Sequence, residues 1–240
     1  MVSVGVNHTE LMDIHELQST AHKPEAWLRP NPESTWPVLC ALAAAIMLQI
    51  AIPKHYTLVP RWPLISLEVL LIVVLVTLNP VRLTRHTRLG RSASLLLLGA
   101  ITFDNVASAV LLDTHIITGK VSNDPAVLLG SGAAIFVTNV IAFGIWYWEL
   151  DRGGPIVRCN VTQPHPDFLF PQMANPEIAP KDWAPMFYDY LYVSVTNVMA
   201  FSPTDTMPLA RWAKLMMTVQ ALVAVSMIAL VLSRAVNVLG

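Results

Sequence analysis

Long runs of apolar residues, separated by short polar segments, dominate the chain between residues 36 and 238. A membrane-spanning helix needs about 20 such residues, because lipid offers no water to the backbone amides. The runs show none of the ten-residue alternation that a membrane β-barrel requires. The predicted fold class is therefore all-α, a polytopic bundle of transmembrane helices. Its clearest spans cover 36–53, 62–79, 93–117, 126–148 and 210–238.

The stretch 186–207 is apolar over only part of its length. Asp189 and Asn197 interrupt it, and Pro203 breaks it because proline cannot donate its amide to a helix. It is either the fifth of six full spans, buried inside the bundle, or a half-helix that enters the membrane and turns back. We expect about six spans, with five spans plus a re-entrant half-helix as the alternative.

This pattern divides the chain into four segments. Residues 1–35 form a polar N-terminal segment without the apolar centre of a signal peptide. Residues 36–148 form a four-helix membrane region, and 149–185 a Pro-rich loop whose aromatic side chains predict that it packs back on the bundle. Residues 186–240 form a C-terminal, pore-like helix pair.

Composition and charge narrow the class of protein. Hydrophobic residues make up 54% of the chain and charged residues 13%, whereas an ordinary soluble domain is about 25% charged. The mean hydropathy is +0.54 and the net charge is −1, which leaves no basic face for nucleic acid. These values argue against a soluble enzyme, a disordered chain and a nucleic-acid binder. Six spans with the N-terminus inside would place ten of the 15 Lys and Arg residues inside, as the positive-inside rule favours.

Polar residues inside the apolar runs are the first candidates for function. Asp104 and Asn105 lie near the middle of 93–117, and Asn139 lies near the middle of 126–148. An ionisable group at mid-bilayer costs roughly 2.5–3.5 kcal/mol, so it faces a partner or water. Asp104 is the best candidate for a functional group, while Asn139 is better explained by hydrogen bonding between helices.

Three further polar residues lie nearer the ends of their spans. Gln49 and Gln220 are expected to form hydrogen bonds between helices. Glu68 is expected to extend its carboxylate toward the membrane interface.

The densest group of polar residues lies between 196 and 206. A helix broken at Pro203 would expose carbonyl oxygens, and hydroxyl and carboxylate groups add further cation ligands. The same residues would also suit an ordinary helix end, with Ser202 or Thr204 as a cap and Asp205 at the start of the next helix. Both interpretations stay open. The candidate residues for an ion path are Thr196, Asn197, Ser202, Thr204, Asp205 and Thr206.

Signatures of soluble catalysis are missing from the sequence. It contains no GxGxxG, Walker, HExxH or GxSxG motif. We expect no enzyme activity, no cofactor, no metal site and no disulfide between Cys40 and Cys159. An intramembrane enzyme that pairs Asp104 with Asp205 or Glu149 is the least favoured alternative.

Three stretches in the last hundred residues resemble an uncharacterised family of bacterial multi-pass inner-membrane proteins. They are WYWELDRGGP at 146–155, PDFLFPQM at 166–173, and the run from DYLYVSVTNVM to the C-terminus at 189–239. The resemblance implies a helical fold in the inner (plasma) membrane and brings no established activity.

The C-terminal run is also faintly similar to the pore helix, filter and inner helix of two-helix-type potassium channels. Their T-x-G-[YF]-G-D filter corresponds to TNVMAFSPTD at 196–205, which keeps a threonine, Phe201 and Asp205. Both glycines, which allow the left-handed backbone of a carbonyl filter, are missing. The topology of such a channel would also place 11 of the 15 Lys and Arg residues outside, against the positive-inside rule.

The sequence thus favours an ion-channel-like or transport-like membrane protein with a polar path around 196–206. Its expected partners are the lipid bilayer, further copies of the chain and a monovalent cation. The alternative is a non-transporting scaffold that binds a partner through the 149–185 loop.

Overall fold

The computed structural model describes residues 33–58, 60–78, 88–120, 122, 124–160, 165–180, 183–199 and 205–239. Two predicted path residues, Ser202 and Thr204, lie outside these ranges, as does most of the polar N-terminal segment. The predicted all-α class is confirmed, since seven α-helices and a single two-stranded pairing make up the regular structure of the described ranges, apart from short 3-10 turns.

Five helices are long, one is of intermediate length and one is a single turn. Three of the long ones, α3, α4 and α7, are long and apolar enough to cross a membrane, and α1 and α2 are apolar but shorter. These properties identify a membrane protein. The helices are α1 (Trp36–Ala51), α2 (Trp62–Leu78), α3 (Arg88–Ile117), α4 (Pro125–Leu150), α5 (Pro171–Ala174), α6 (Phe187–Met199) and α7 (Arg211–Leu239).

Local chemistry fixes both ends of α4. The Asp124 side chain accepts a 2.9 Å hydrogen bond from the amide of Ala126, and Pro125 occupies the first turn, where its missing amide costs nothing. Beyond Leu150 the chain turns into left-handed backbone, with φ of 51° at Arg152 and 103° at Gly154. A side chain at Gly154 would also place its Cβ 2.9 Å from the carbonyl oxygen of Glu149, so the turn requires glycine.

The helices alternate between two ends of the array. Glu33 accepts hydrogen bonds from the Trp148 indole (2.9 Å) and from the Phe187 amide (2.7 Å), so the starts of α1 and α6 meet the end of α4. We name this side end A. On the opposite side, end B, the Tyr56 hydroxyl accepts a 3.0 Å hydrogen bond from the Ser122 amide, which joins the α1–α2 and α3–α4 connections.

Helices α6 and α7 both begin at end A. Strand β1 (Phe168–Leu169) pairs antiparallel with β2 (Met207–Pro208), which immediately precedes α7. The amide of Leu209 also donates a 2.8 Å hydrogen bond to the Asp167 carbonyl oxygen. The 13 residues of α6 extend about 20 Å into the array, and the chain is back at end A within the next eight residues.

The hydrophobic core surrounds α4. In the candidate membrane span of α4, 61% of the residues are buried, compared with 28% in that of α7. The described parts of the 149–185 loop pack against the helices, as the sequence predicted. Phe168 lies 5.2 Å from Tyr147 between ring centroids, and Phe170 lies 5.3 Å from Tyr190. Met173 and Trp183 join the same core, so the described parts of the loop cover end A of the helices.

Candidate functional site

A network around Gln220 holds α6 against α4 and α7. The amide oxygen of the Gln220 side chain accepts hydrogen bonds from the Tyr147 hydroxyl (2.6 Å) and from Asn197 Nδ2 (2.9 Å). Its amide nitrogen donates to the carbonyl oxygen and hydroxyl of Ser194, at 3.2 and 2.6 Å. Asn139 Nδ2 donates to the Gln220 backbone oxygen at 3.3 Å. The expected hydrogen bonds between helices are therefore present for Asn139 and Gln220.

Close backbone packing accompanies this network. A Cβ at Gly144 of α4 would lie 3.1 Å from the Leu191 Cα of α6, so a side chain there would require the two helices to move apart by a few tenths of an ångström. The Ser194 hydroxyl donates a 2.6 Å hydrogen bond to the Val140 carbonyl oxygen at the same contact. Helix α6 is thus fixed along its buried side.

The predicted path residues do not share one environment. The Thr196 hydroxyl bonds to the carbonyl oxygens of Tyr192 (2.9 Å) and Val193 (3.1 Å) within its own helix. Asn197 is taken up by the Gln220 network and donates to the Met217 carbonyl oxygen at 2.9 Å. Asp205 is exposed at end A.

Thr206, beside Asp205, is buried. With Ser202 and Thr204 outside the described residues, the proposed path stays a prediction.

A buried charged cluster, which we call the Asp151 cluster, closes end A. Asp151 is fully buried, and its Oδ1 accepts hydrogen bonds from the amides of Asp167 (3.0 Å) and Phe168 (3.3 Å). Its Oδ2 accepts from the Tyr190 hydroxyl (2.6 Å) and Arg152 Nε (3.2 Å). A buried carboxylate is tolerated when it is paired and hydrogen-bonded in this way.

Arg158 completes the Asp151 cluster. Its Nη1 donates to the carbonyl oxygens of Trp148 (2.5 Å) and Asp151 (3.2 Å). Its guanidinium lies 5.1 Å from the Tyr190 ring centroid and 5.9 Å from that of Trp148, within cation–π range. Sequence reasoning missed this cluster, although the DRGG turn and an Arg in an aromatic loop were signals for it.

A second buried group, the Glu68 cluster, lies between α1, α2 and α3. Glu68 is 1% exposed and Asp104 is 6% exposed, and the two carboxyl groups are within electrostatic range of each other. The Gln49 side chain lies beside Glu68 and donates from Nε2 to the Ile101 carbonyl oxygen at 3.4 Å. Glu68 is buried beside Asp104 of α3 and Gln49 of α1, which contradicts the prediction that its carboxylate extends outward toward the membrane interface.

Helix α3 contributes one polar face to the Glu68 cluster. Ile101, Asp104, Asn105 and Ser108 follow the spacing i, i+3, i+4, i+7, which places them on the same side of the helix. Asn105 and Ser108 are 1% and 0% exposed, and neither Asn105 Oδ1 nor Ser108 Oγ has a hydrogen-bond partner among the described residues. The cluster therefore combines two carboxyl groups with unpaired amide and hydroxyl oxygens.

No protein-family model matches this chain, and no curated protein or solved structure is significantly similar to it. Within the residues that the structure describes, no three His, Cys, Asp or Glu side chains are grouped as a metal site would need. The resemblances to an inner-membrane family and to a channel pore therefore stay predictions. The candidate sites are the Glu68 cluster and the end of α6.

Proposed function

We propose that the protein is a transport-type membrane protein in which α1–α4 and α7 cross the bilayer and α6 is a re-entrant half-helix. The observation that carries the proposal is the shared starting point of α6 and α7 at end A. A helix crossing the hydrocarbon core needs about 20 residues, with a lower limit of about 17. Helix α6, with 13 residues, is well below this limit, whereas α1 and α2, with 16 and 17, lie close to it.

The distribution of positive charge supports this topology and orients it. With one re-entrant helix, the segments at end A contain 11 of the 15 Lys and Arg residues and those at end B contain four. Loops rich in Lys and Arg stay in the cytoplasm. The ratio of 11 to four Lys and Arg residues is a larger asymmetry than the ten to five of a six-span arrangement. We therefore assign end A to the cytoplasmic side of a plasma membrane.

The transport proposal follows from where α6 ends. The last four carbonyl groups of any helix lack partners inside the helix. At membrane depth such groups are tolerated only inside protein or along a water-filled cavity, which is how transporters and channels use half-helices. The segment 196–206 then provides a polar path for a small ion, with the exposed carboxylate of Asp205 at its cytoplasmic mouth.

Ion flux into liposomes tests this function. The purified full-length chain would be reconstituted, and uptake of Na⁺ and K⁺ would be followed with wild type, Thr204→Ala and Asp205→Ala. We expect both substitutions to reduce flux, while the exposed loop residue Glu177, changed to Gln, serves as the control. Flux that is unchanged in both variants would remove the path from 196–206, and no flux in wild type would contradict the function.

The two alternatives gain no support from the geometry. The aromatic residues of the 149–185 loop that suggested partner recognition are mostly core residues, among them Phe168 and Phe170. For an intramembrane enzyme, Glu149 lies beside Ser94 of α3. Asp104 lies about 15 Å further along that helix, too far for direct cooperation of the two carboxyl groups.

A further inference from the structure

Unpaired side-chain oxygen atoms occur on each of the three helices α1, α2 and α3, which pack against one another. Among the residues that the structure describes, neither carboxyl oxygen of Glu68 has a hydrogen-bond partner of good geometry. The side-chain oxygen of Gln49, a residue that lies beside Glu68, has none there either. Asn105 Oδ1 and Ser108 Oγ add two more on the α3 face that carries Asp104. Buried polar atoms are normally hydrogen-bonded, and each exception needs an explanation.

The Gln220 network provides an internal comparison. In that network the Gln220 side chain meets donors and acceptors on α4 and α6, and all of its polar atoms are used. In the same network Asn139 Oδ1 has no partner among the described residues, so one unpaired amide oxygen does not by itself mark a ligand site. At Glu68 the unpaired atoms are grouped: the Gln49 oxygen and both carboxyl oxygens of Glu68 belong to neighbouring side chains that are 2% and 1% exposed, and this grouping points to a missing ligand.

Charge defines the valence of that ligand. Glu68 and Asp104 carry two negative charges when ionised, and Arg61 lies within electrostatic range of Asp104. Arg61 is held in place at the end of α1, where its Nη1 donates to the carbonyl oxygens of Ile50 (3.3 Å) and Ile52 (3.1 Å). One negative charge is left over, which suits a monovalent cation better than a divalent one.

We propose that Glu68, Asp104 and Gln49, with Asn105 and Ser108, form a binding site for one monovalent alkali cation. Carboxylate, amide and hydroxyl oxygens are the ligands that hard cations prefer. Glu68 is the central ligand, since neither of its carboxyl oxygens makes a hydrogen bond of good geometry to another described residue. The site deepens the proposed transport function by naming its ion, but binding at this site does not require that flux occurs.

Thermal unfolding of the full-length protein in detergent tests the site. Tm would be measured at fixed pH over a series of NaCl, KCl and choline chloride concentrations, since a ligand of the folded state raises Tm as its concentration grows. We expect Na⁺ or K⁺ to raise Tm above the choline value. In Glu68→Gln the half-saturating cation concentration should rise about tenfold or more, because a charged ligand is lost.

The variants separate binding from folding. Glu68→Gln removes a buried charge, so in the absence of alkali cation the variant should have a Tm equal to or above that of wild type. If Glu68 had only a structural role, the substitution would lower the Tm instead. Glu177→Gln is the matched control and should keep the full cation response. The second variant, Asp104→Asn, should lose the rise of Tm with Na⁺ or K⁺, as Glu68→Gln does.

Two results would overturn the site. One is equal Tm values in NaCl, KCl and choline chloride, which would mean that the Glu68 carboxyl is buried in its protonated form and binds no cation. The other is a cation response that Glu68→Gln and Asp104→Asn both retain. Neither result bears on the flux measurement, so this site and the transport function can fail separately.

Discussion

The Tyr190 hydroxyl donates a 2.6 Å hydrogen bond to Asp151 Oδ2, joining the first turn of α6 to the residue that ends α4. Both side chains are fully buried, and they are 39 positions apart in the chain. This contact sets the place where α6 starts. In the proposed topology α6 has no second anchor at end B, so its position would depend on contacts of this kind along its length.

Removing the Tyr190 hydroxyl should loosen α6. We expect Tyr190→Phe to lower the free energy of unfolding by about 1–2 kcal/mol, because one charge-assisted hydrogen bond to a buried carboxylate is lost. Denaturant unfolding in detergent micelles measures the change. Tyr188→Phe, at a 61% exposed position of the same helix, is the control and should be nearly neutral. Equal effects at the two positions would contradict the role of Asp151 as an anchor.

The Gln220 network should contribute more than an ordinary pair of intramembrane polar residues. Single hydrogen bonds between membrane helices average about 0.6 kcal/mol. Gln220→Leu breaks four and leaves the buried Tyr147 hydroxyl without its acceptor, so we expect a loss of about 2–3 kcal/mol in unfolding free energy. The exposed Thr218→Val is the neighbouring control. A loss below 1 kcal/mol would show that the network is dispensable.

Two glycines of α4 should respond in opposite directions to alanine. At Gly144 a methyl group would meet α6 at 3.1 Å, so Gly144→Ala should cost about 1–3 kcal/mol through overpacking. At Gly130 nothing lies within 4 Å, and alanine should be neutral or stabilising by up to about 1 kcal/mol. The comparison of their Tm values removes the common effect of helix propensity. Equal Tm values for the two variants would place α6 away from α4.

Apolar patterning was enough to locate the long helices. The run predicted at 126–148 forms α4, Pro125–Leu150, and the run at 210–238 forms α7, Arg211–Leu239. Each run has a length and hydropathy that admit few other structures. The sequence could not decide between a fifth span and a half-helix at 186–207, because that choice depends on where β2 pairs, and β1 lies about 40 residues earlier.

The polar sites were harder to predict because they depend on helix rotation and long-range contacts. Glu68 looks like an interfacial side chain from its position in the apolar run, and only the packing of α2 against α3 shows that it is buried. Arg152 and Arg158 look like ordinary loop charges, yet both are 6% exposed beside Asp151. Apolar periodicity contains no information about such pairings.

Cysteine accessibility from each side of the membrane tests the re-entrant topology most directly. Glu177→Cys, Asp205→Cys and Lys120→Cys would be made one at a time in a chain without Cys40 and Cys159, at positions that are all exposed. An impermeant thiol reagent would be applied to right-side-out and inverted vesicles. We expect labelling of positions 177 and 205 from the cytoplasmic side and of position 120 from the opposite side. Labelling of 177 and 205 from opposite sides would contradict it and make α6 a full crossing.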